Sequence, residues 1–368
     1  MNIVLIGPYY PYRGGISDTN QELCETLKEN GHHVDIITFK LLYPSIFFPG
    51  KTQYYKNKSK QSIKAQRILN SINPFNWINI SKKINKLKPD LVISTYWTSF
   101  LAPCLSFINN RINKKVNKIG LIHNAYPHEK KIFQKDLFKL YLNSIDQYIT
   151  LSENITRKIN KISRLKKGKT LFHPVPQKFG EPLKKEVAKE KIGLNKEYNY
   201  LLFFGLIRKY KGLDILIESM SEIINKRNDV KLLIVGENYE SISRYKKTIN
   251  DNNLENNIFF INHFIKEEEI KYWFCSSELI IQPYKKASQS GVTPLSFQFE
   301  IPSVCSNISG LSEYISENKD GFLFEPNSDD LAKKILIALN YDRRLIKREI
   351  NIKKKNLTWS NFVTKLLK

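Results

Sequence analysis

The chain is poor in the residues that staple or metallate a protein. Its 368 residues include four cysteines, Cys24, Cys104, Cys275 and Cys305, scattered with no C-x-x-C pair. That spacing argues against a zinc site or a disulfide framework and fits a reducing compartment. No run of about 18 apolar residues occurs, so no transmembrane helix is expected. The opening MNIVLIGPYYP reads as a strand and a turn, without the charged region and long apolar stretch of a signal peptide. A cytoplasmic protein is therefore expected. No D-x-D motif or His/Cys ligand cluster stands out. G-x-G-x-x-G is absent too, because the first glycines fall at Gly7, Gly14 and Gly15. Helix-turn-helix, zinc-finger, OB and RRM signatures are also missing, which leaves no specific nucleic-acid partner. Acidic residues are the other scarcity: 35 against 59 basic ones, a net charge of +24. A charge this large implies an anionic surface or ligand, with nucleic acid, anionic lipid and phosphorylated metabolites as candidates, set against a plain compositional drift toward Lys, Asn and Ile.

What is present is organised around residues 201–216, LLFFGLIRKYKGLDIL. An apolar strand ends at Gly205, a short basic loop carries Arg208 and Lys211, Gly212 closes it, and an amphipathic helix follows. Free N–H groups at a helix start, together with two cations, make a place for phosphate; the competing reading is an ordinary strand-to-helix turn with solvated lysines. A length of 368 residues favours two domains. The alternation of strands and helices begins at residues 2–6, with a loop over 7–15, a helix over 18–30 and a strand over 34–38. It continues through strands at 90–94, 118–122, 147–151 and 170–173. Ser152 is placed to cap a helix. Residues 40–88 read as irregular. Phe47 and Phe48 lie there beside many lysines, a combination that suits an anionic membrane interface or, alternatively, a loop that covers the core. Residues 181–196 read as a charged linker without a core element. The alternation then restarts with strands at 200–204, 231–235, 258–261, 279–281 and 303–305, giving a second α/β domain, and 345–368 is a terminal helical stretch interrupted near Asn356.

Two such domains place a cleft between two sets of strand ends. With GPYYPYRGG, YWTSFLAP, IHNAYPHE, FFGLIRKYKGLD, LLIVGE, QSGVTPLSFQFEIPSVCSNISGLSEYI and DGFLFEPNSDDLA in that order, the chain resembles the retaining glycosyltransferases of the GT-B fold, family 4 (glycosyl transferases group 1), over nearly its whole length. The resemblance implies an α/β fold of two Rossmann-like domains facing across a cleft. Residues 1–178 would hold the acceptor, 190–344 the nucleotide sugar, and 345–368 would return to the N-terminal domain. It implies transfer of a hexose from a nucleoside-diphosphate sugar, without a metal, to a glycan or lipid-linked acceptor in polysaccharide or lipopolysaccharide synthesis, with peripheral contact at an anionic membrane surface. A non-catalytic binding protein and a sugar-nucleotide epimerase are the alternatives.

The resemblance also assigns roles. His123 looks like the histidine beside the transferred sugar. Lys211 and Arg208 look like the basic pair on the donor diphosphate, although Leu206 stands where many relatives place the arginine. Gly14, Gly15, Gly205, Glu237 and Gly310 line the donor's path, and Arg13 and Trp97 sit on the acceptor side with Phe47 and Phe48. Many relatives carry Glu-x7-Glu near 287–295; here those places fall near Ala287 and Leu295. The loop instead offers Ser288, Gln289, Ser290, Gly291, Val292 and Thr293, whose N–H groups and polar side chains are candidates for the diphosphate or sugar.

Overall fold

The computed structural model describes residues 1–44, 52–55, 63–125, 133–164 and 166–368. Phe47 and Phe48 lie outside the described residues. The chain divides into two units: Met1–His173 with Trp359–Lys368, and Pro174–Thr358.

The first unit is built on seven parallel strands: β1 (Asn2–Ile6), β2 (His33–Leu41), β3 (Gln66–Asn70), β4 (Leu91–Tyr96), β5 (Asn117–Ile122), β6 (Gln147–Thr150) and β7 (Lys167–Thr170). Their spatial order is β3-β2-β1-β4-β5-β6-β7. Successive side chains leave a strand on opposite faces, and β1 shows the consequence. Val4 and Ile6 enter the cluster packed by α2 (Pro74–Leu87), α3 (Ala102–Arg111), α4 (Gln134–Asn143) and α5 (Glu153–Ile162). Ile3 and Leu5 enter the opposite cluster with Leu23 and Leu27 of α1 (Gly15–Glu29). The last helix, α13 (Trp359–Leu367), joins that second cluster through Trp359, Phe362, Val363 and Leu366. Ser152 caps α5, accepting from the Asn154 N–H at 3.2 Å. Two readings change here. The stretch 40–88 holds β3 and α2, the latter begun by the Asn73 cap and Pro74. The last strand lies at Lys167–Thr170, where its backbone pairs with β6, and not at 170–173.

The second unit carries six parallel strands: β8 (Asn199–Phe204), β9 (Val230–Val235), β10 (Ile258–Ile261), β11 (Leu279–Gln282), β12 (Ser303–Ser306) and β13 (Gly321–Phe324). Their order is β10-β9-β8-β11-β12-β13. The order reverses direction between β8 and β11, and open α/β sheets take ligands at the carboxyl ends of the strands flanking such a reversal. Leu201 and Phe203 pack against α7 (Leu213–Lys226), α8 (Ser243–Asp251), α11 (Ser328–Asn340) and α12 (Arg343–Asn356). Tyr200 and Leu202 pack against α6 (Lys185–Lys191), α9 (Glu267–Cys275) and α10 (Val292–Gln298). The expected linker thus holds a helix, α6. Its Ala188 is fully buried, and the Lys189 ammonium reaches the carbonyls of Lys196 and Tyr198. Ala188 and Lys189 are its two buried residues. The terminal stretch also divides: α12 stays with the second unit, where Ile346 and Ile350 are buried, and only residues from Trp359 onward belong to the first.

Candidate functional site

Four loops meet at the carboxyl edge of the second sheet, and glycines let them meet. The loop after β8 runs beside the loop after β9. The Ile207 N–H donates to the Glu237 carbonyl at 3.0 Å, and the Tyr239 N–H to the Ile207 carbonyl at 3.2 Å. A Cβ at Gly236, whose φ is +149°, would stand 2.1 Å from the Gly205 carbonyl oxygen, so only glycine allows this approach. Gly212, with φ +65°, begins α7 and backs onto the Pro283 carbonyl after β11. Gly310, after β12, backs onto the carbonyls of Ala287 and Ser288, where a Cβ would stand 2.9 Å and 2.7 Å from the two oxygens.

Lys211 occupies the centre of this arrangement. It lies in a 3-10 turn, Lys209–Lys211, and is 8 % exposed. Its ammonium sits 3.0 Å from the point a Gly205 Cβ would occupy and 5.2 Å from the centre of the Tyr284 ring. Among the described residues no carboxylate pairs with it. Burial, with a smaller contribution from the neighbouring Arg208 charge, lowers its pKa from 10.5 to about 8. Arg208 is half-buried, its guanidinium 5.0 Å from the Tyr239 ring centre. By contrast Lys285, further along, is neutralised by Asp214. A buried, desolvated cation at a strand-to-helix turn is a receptor for an anion, since a bound anion restores what burial removed.

The loop before α10 is held from inside. Ser290 donates to Gln282 Oε1 at 2.7 Å and accepts from the Val292 N–H at 3.2 Å. Thr293 is fully buried, and its hydroxyl accepts from Gln282 Nε2 at 3.0 Å. The hydroxyls of Ser290 and Thr293 are thus engaged within the fold. Ser288 is buried, while Gln289 and Gly291 are more open. Ala287 and Leu295 both turn into apolar clusters, so neither position presents a group to a ligand. Glu237 is 7 % exposed at the start of the loop that follows β9. Gln282 escaped the sequence reading; the available signal was a glutamine closing the otherwise apolar strand LIIQ.

In the first unit, Gly14 caps α1 with φ +110°, and Gly15 opens the helix. A Cβ at either would meet nothing within 4 Å, so a ligand could reach backbone there. α1 is set close to β1 by Asn20, which donates to the Pro8 carbonyl at 2.8 Å and accepts from Thr95 at 2.9 Å. Gly7 makes room for both side chains. Asn20, inside the helix pattern, was not singled out in the sequence. Arg13 is tied to the chain at 52–53, its Nε donating to the Thr52 carbonyl at 2.8 Å. Trp97 donates its indole N–H to the Tyr43 hydroxyl at 2.9 Å, and its ring meets Phe39 edge-on. That engagement is one of packing within the unit. His123 follows β5, is 4 % exposed, and its N–H donates to the Tyr96 carbonyl at 2.8 Å. Burial, then the nearby His173, lowers its pKa to about 3 and keeps the imidazole neutral. Among the described residues no group of three His, Cys, Asp or Glu side chains could hold a metal ion, and no helix is long and apolar enough to cross a membrane.

Residues 184–356 match the family model Glycosyl transferases group 1, and residues 13–170 match Glycosyltransferase Family 4. An uncharacterized glycosyltransferase of Methanocaldococcus jannaschii is 24% identical over 348 residues, 92% of this chain and 89% of that protein. The lipopolysaccharide core biosynthesis mannosyltransferase LpsB of Rhizobium meliloti is 24% identical over 167 residues, 44% of this chain and 46% of that one. The structure of Anabaena HepE in complex with UDP-glucose superposes with a TM-score of 0.78 at 13% identity, covering 99% of each chain.

Proposed function

This chain belongs to the GT-B glycosyltransferases of group 1 and family 4, and from that premise we propose that it transfers a hexose, with retention of anomeric configuration, from a nucleoside-diphosphate sugar to a hydroxyl of a glycan or lipid-linked acceptor. The second unit takes the donor and the first unit takes the acceptor. The observation that carries the donor reading is Lys211, a buried ammonium without a carboxylate partner among the described residues. In the reaction the bond between the anomeric carbon and the diphosphate oxygen breaks, and the departing diphosphate gains negative charge. Lys211 and Arg208 stabilise that charge as it develops, in place of a metal. The acceptor oxygen bonds to the same face of the sugar, and its proton passes to the departing diphosphate. Neutral His123 orients sugar hydroxyls.

Two features support a lipid-linked acceptor in cell-surface glycan synthesis. Phe75 (80 % exposed) and Ile72 (50 % exposed) stand in water at the start of α2, the helix that also carries Lys82, Lys83 and Lys86. The net charge of +24 favours an anionic membrane surface. The test is incubation of the purified protein with UDP-, GDP- and ADP-hexoses and a mixture of lipid-linked glycans in EDTA, followed by diphosphate release and NMR of the product anomer. One donor turned over with the donor's configuration kept supports the reading. An inverted product, or no diphosphate from any donor, overturns it.

A further inference from the structure

The side chain of Gln282 is a buried polar group in a place where the strand pattern calls for an apolar one. Along β11, Leu279 and Ile281 face one cluster and Ile280 faces the other. Alternation puts Gln282 on the Ile280 side, toward α10. It is 1 % exposed. A primary amide buried there must find partners for two N–H donors and a carbonyl oxygen. All are met: Oε1 accepts from Ser290 at 2.7 Å and from Thr293 at 3.3 Å, while Nε2 donates to Thr293 at 3.0 Å, to Cys305 Sγ at 3.3 Å and to Ser303 at 3.4 Å. The amide therefore links β12, the first turn of α10 and the loop before it.

Its position in the chain matters as much as its bonds. The next residue, Pro283, presents the carbonyl against which Gly212 packs, at the end of the turn that carries Lys211. On its other side Ser290 anchors the loop whose Ser288 carbonyl meets Gly310. Ala287 and Leu295 pack into apolar clusters, and neutral hydrogen bonds through Ser290 and Thr293 hold the loop and the start of α10.

We infer that Gln282 is a positioning residue for glycosyl transfer: through Ser290 it fixes the loop at 287–291 in the conformation that receives the donor, and through Pro283 it fixes the separation of that loop from Lys211. The inference rests on the donor reading given above. The test is a double-mutant cycle on the full chain with Gln282→Met, Ser290→Ala and the double variant. It reads nucleoside-diphosphate affinity by calorimetry, donor KM and kcat, and melting temperature. Loss of one buried hydrogen bond corresponds to roughly five- to tenfold. Each single variant is expected to raise donor KM by about that factor with a smaller fall in kcat, and the double variant to match the worse single, because both act through one contact. Wild-type KM in the single variants, or effects that multiply in the double, would overturn the assignment, as would a lowered melting temperature with unchanged affinity. If Gln282→Met fails to fold, Ser290→Ala decides alone, since wild-type donor KM in that variant defeats the inference. A wild-type protein that binds no UDP, GDP or ADP refutes the donor reading itself; normal wild-type binding with unaltered variants refutes Gln282 only.

Discussion

Replacing Lys211 with methionine separates what the residue does for binding from what it does for folding. The substitution keeps the apolar stem of the side chain, 8 % exposed beside the Tyr284 ring, and deletes the charge. Burial lowers the lysine's pKa from 10.5 to about 8. At ~1.4 kcal/mol for each pH unit, holding the ammonium charged in the ligand-free fold at pH 7 costs on the order of 3 kcal/mol. Lys211→Met removes that cost, so the free protein should melt higher, by roughly 2–4 °C for each kcal/mol recovered. The sign follows from proton counting. Between pH 8 and 10.5 the unfolded chain holds a proton that the folded chain has released, so wild-type stability rises with pH across that window. The methionine variant lacks this rise. Function moves the opposite way. The variant is expected to lose the melting shift caused by a nucleoside diphosphate, and turnover should fall by roughly 10²-fold or more, as for other preorganised charge stabilisers. Scanning fluorimetry across pH, with and without the diphosphate, reads both effects. A variant that melts lower than wild type and still responds fully to the diphosphate refutes the reasoning.

His123, held near a pKa of 3 by burial, stays neutral in the folded protein while the unfolded chain protonates below about 6.5. Stability should therefore drop as pH falls from 6.5 toward 3, and His123→Gln should flatten that drop in an acid titration followed by circular dichroism; an unchanged acid limb defeats the assignment. Gly15 has open space where a Cβ would go, so Gly15→Ala should fold with a stability change below ~1 kcal/mol but raise KM if substrate reaches that backbone; unchanged kinetics would remove Gly15 from the site. Phe75, 80 % exposed, is predicted to contribute to membrane contact, and Phe75→Ser should weaken co-sedimentation with anionic vesicles at unchanged melting temperature. Equal sedimentation would assign Phe75 no role at the lipid surface.

The parts legible in the sequence are those whose cause is local. The β8 strand, the basic turn and α7 follow from an apolar run, two glycines and a 3.6-residue pattern within residues 201–216, and the structure shows that strand, turn and helix. The Ser152 cap is equally local. Contacts distant in sequence were not legible. The Gly236–Gly205 approach depends on two loops 30 residues apart coming within hydrogen-bonding range. Gln282 is uninformative until Ser290, Thr293, Ser303 and Cys305 surround it. α6 was missed because Ala188 is its one buried apolar residue and the other buried one is a lysine, and β3 because a five-residue strand with only Leu69 buried has almost no periodic signal. The terminal division was misplaced for a similar reason: α12 and α13 each carry one apolar face, and only packing shows which unit each joins.

We propose that Lys211 and its neighbouring loops bind the diphosphate of a sugar nucleotide without a metal. The most direct measurement is a thermal-shift panel of UDP, GDP, ADP and CMP on the wild-type protein and Lys211→Met, each with Mg²⁺ and with EDTA. A ligand that binds only the folded state raises its melting temperature by mass action. The expected result is a shift by one nucleoside diphosphate, equal with and without metal, and absent in Lys211→Met. No shift by any nucleotide, or one that requires Mg²⁺, contradicts it.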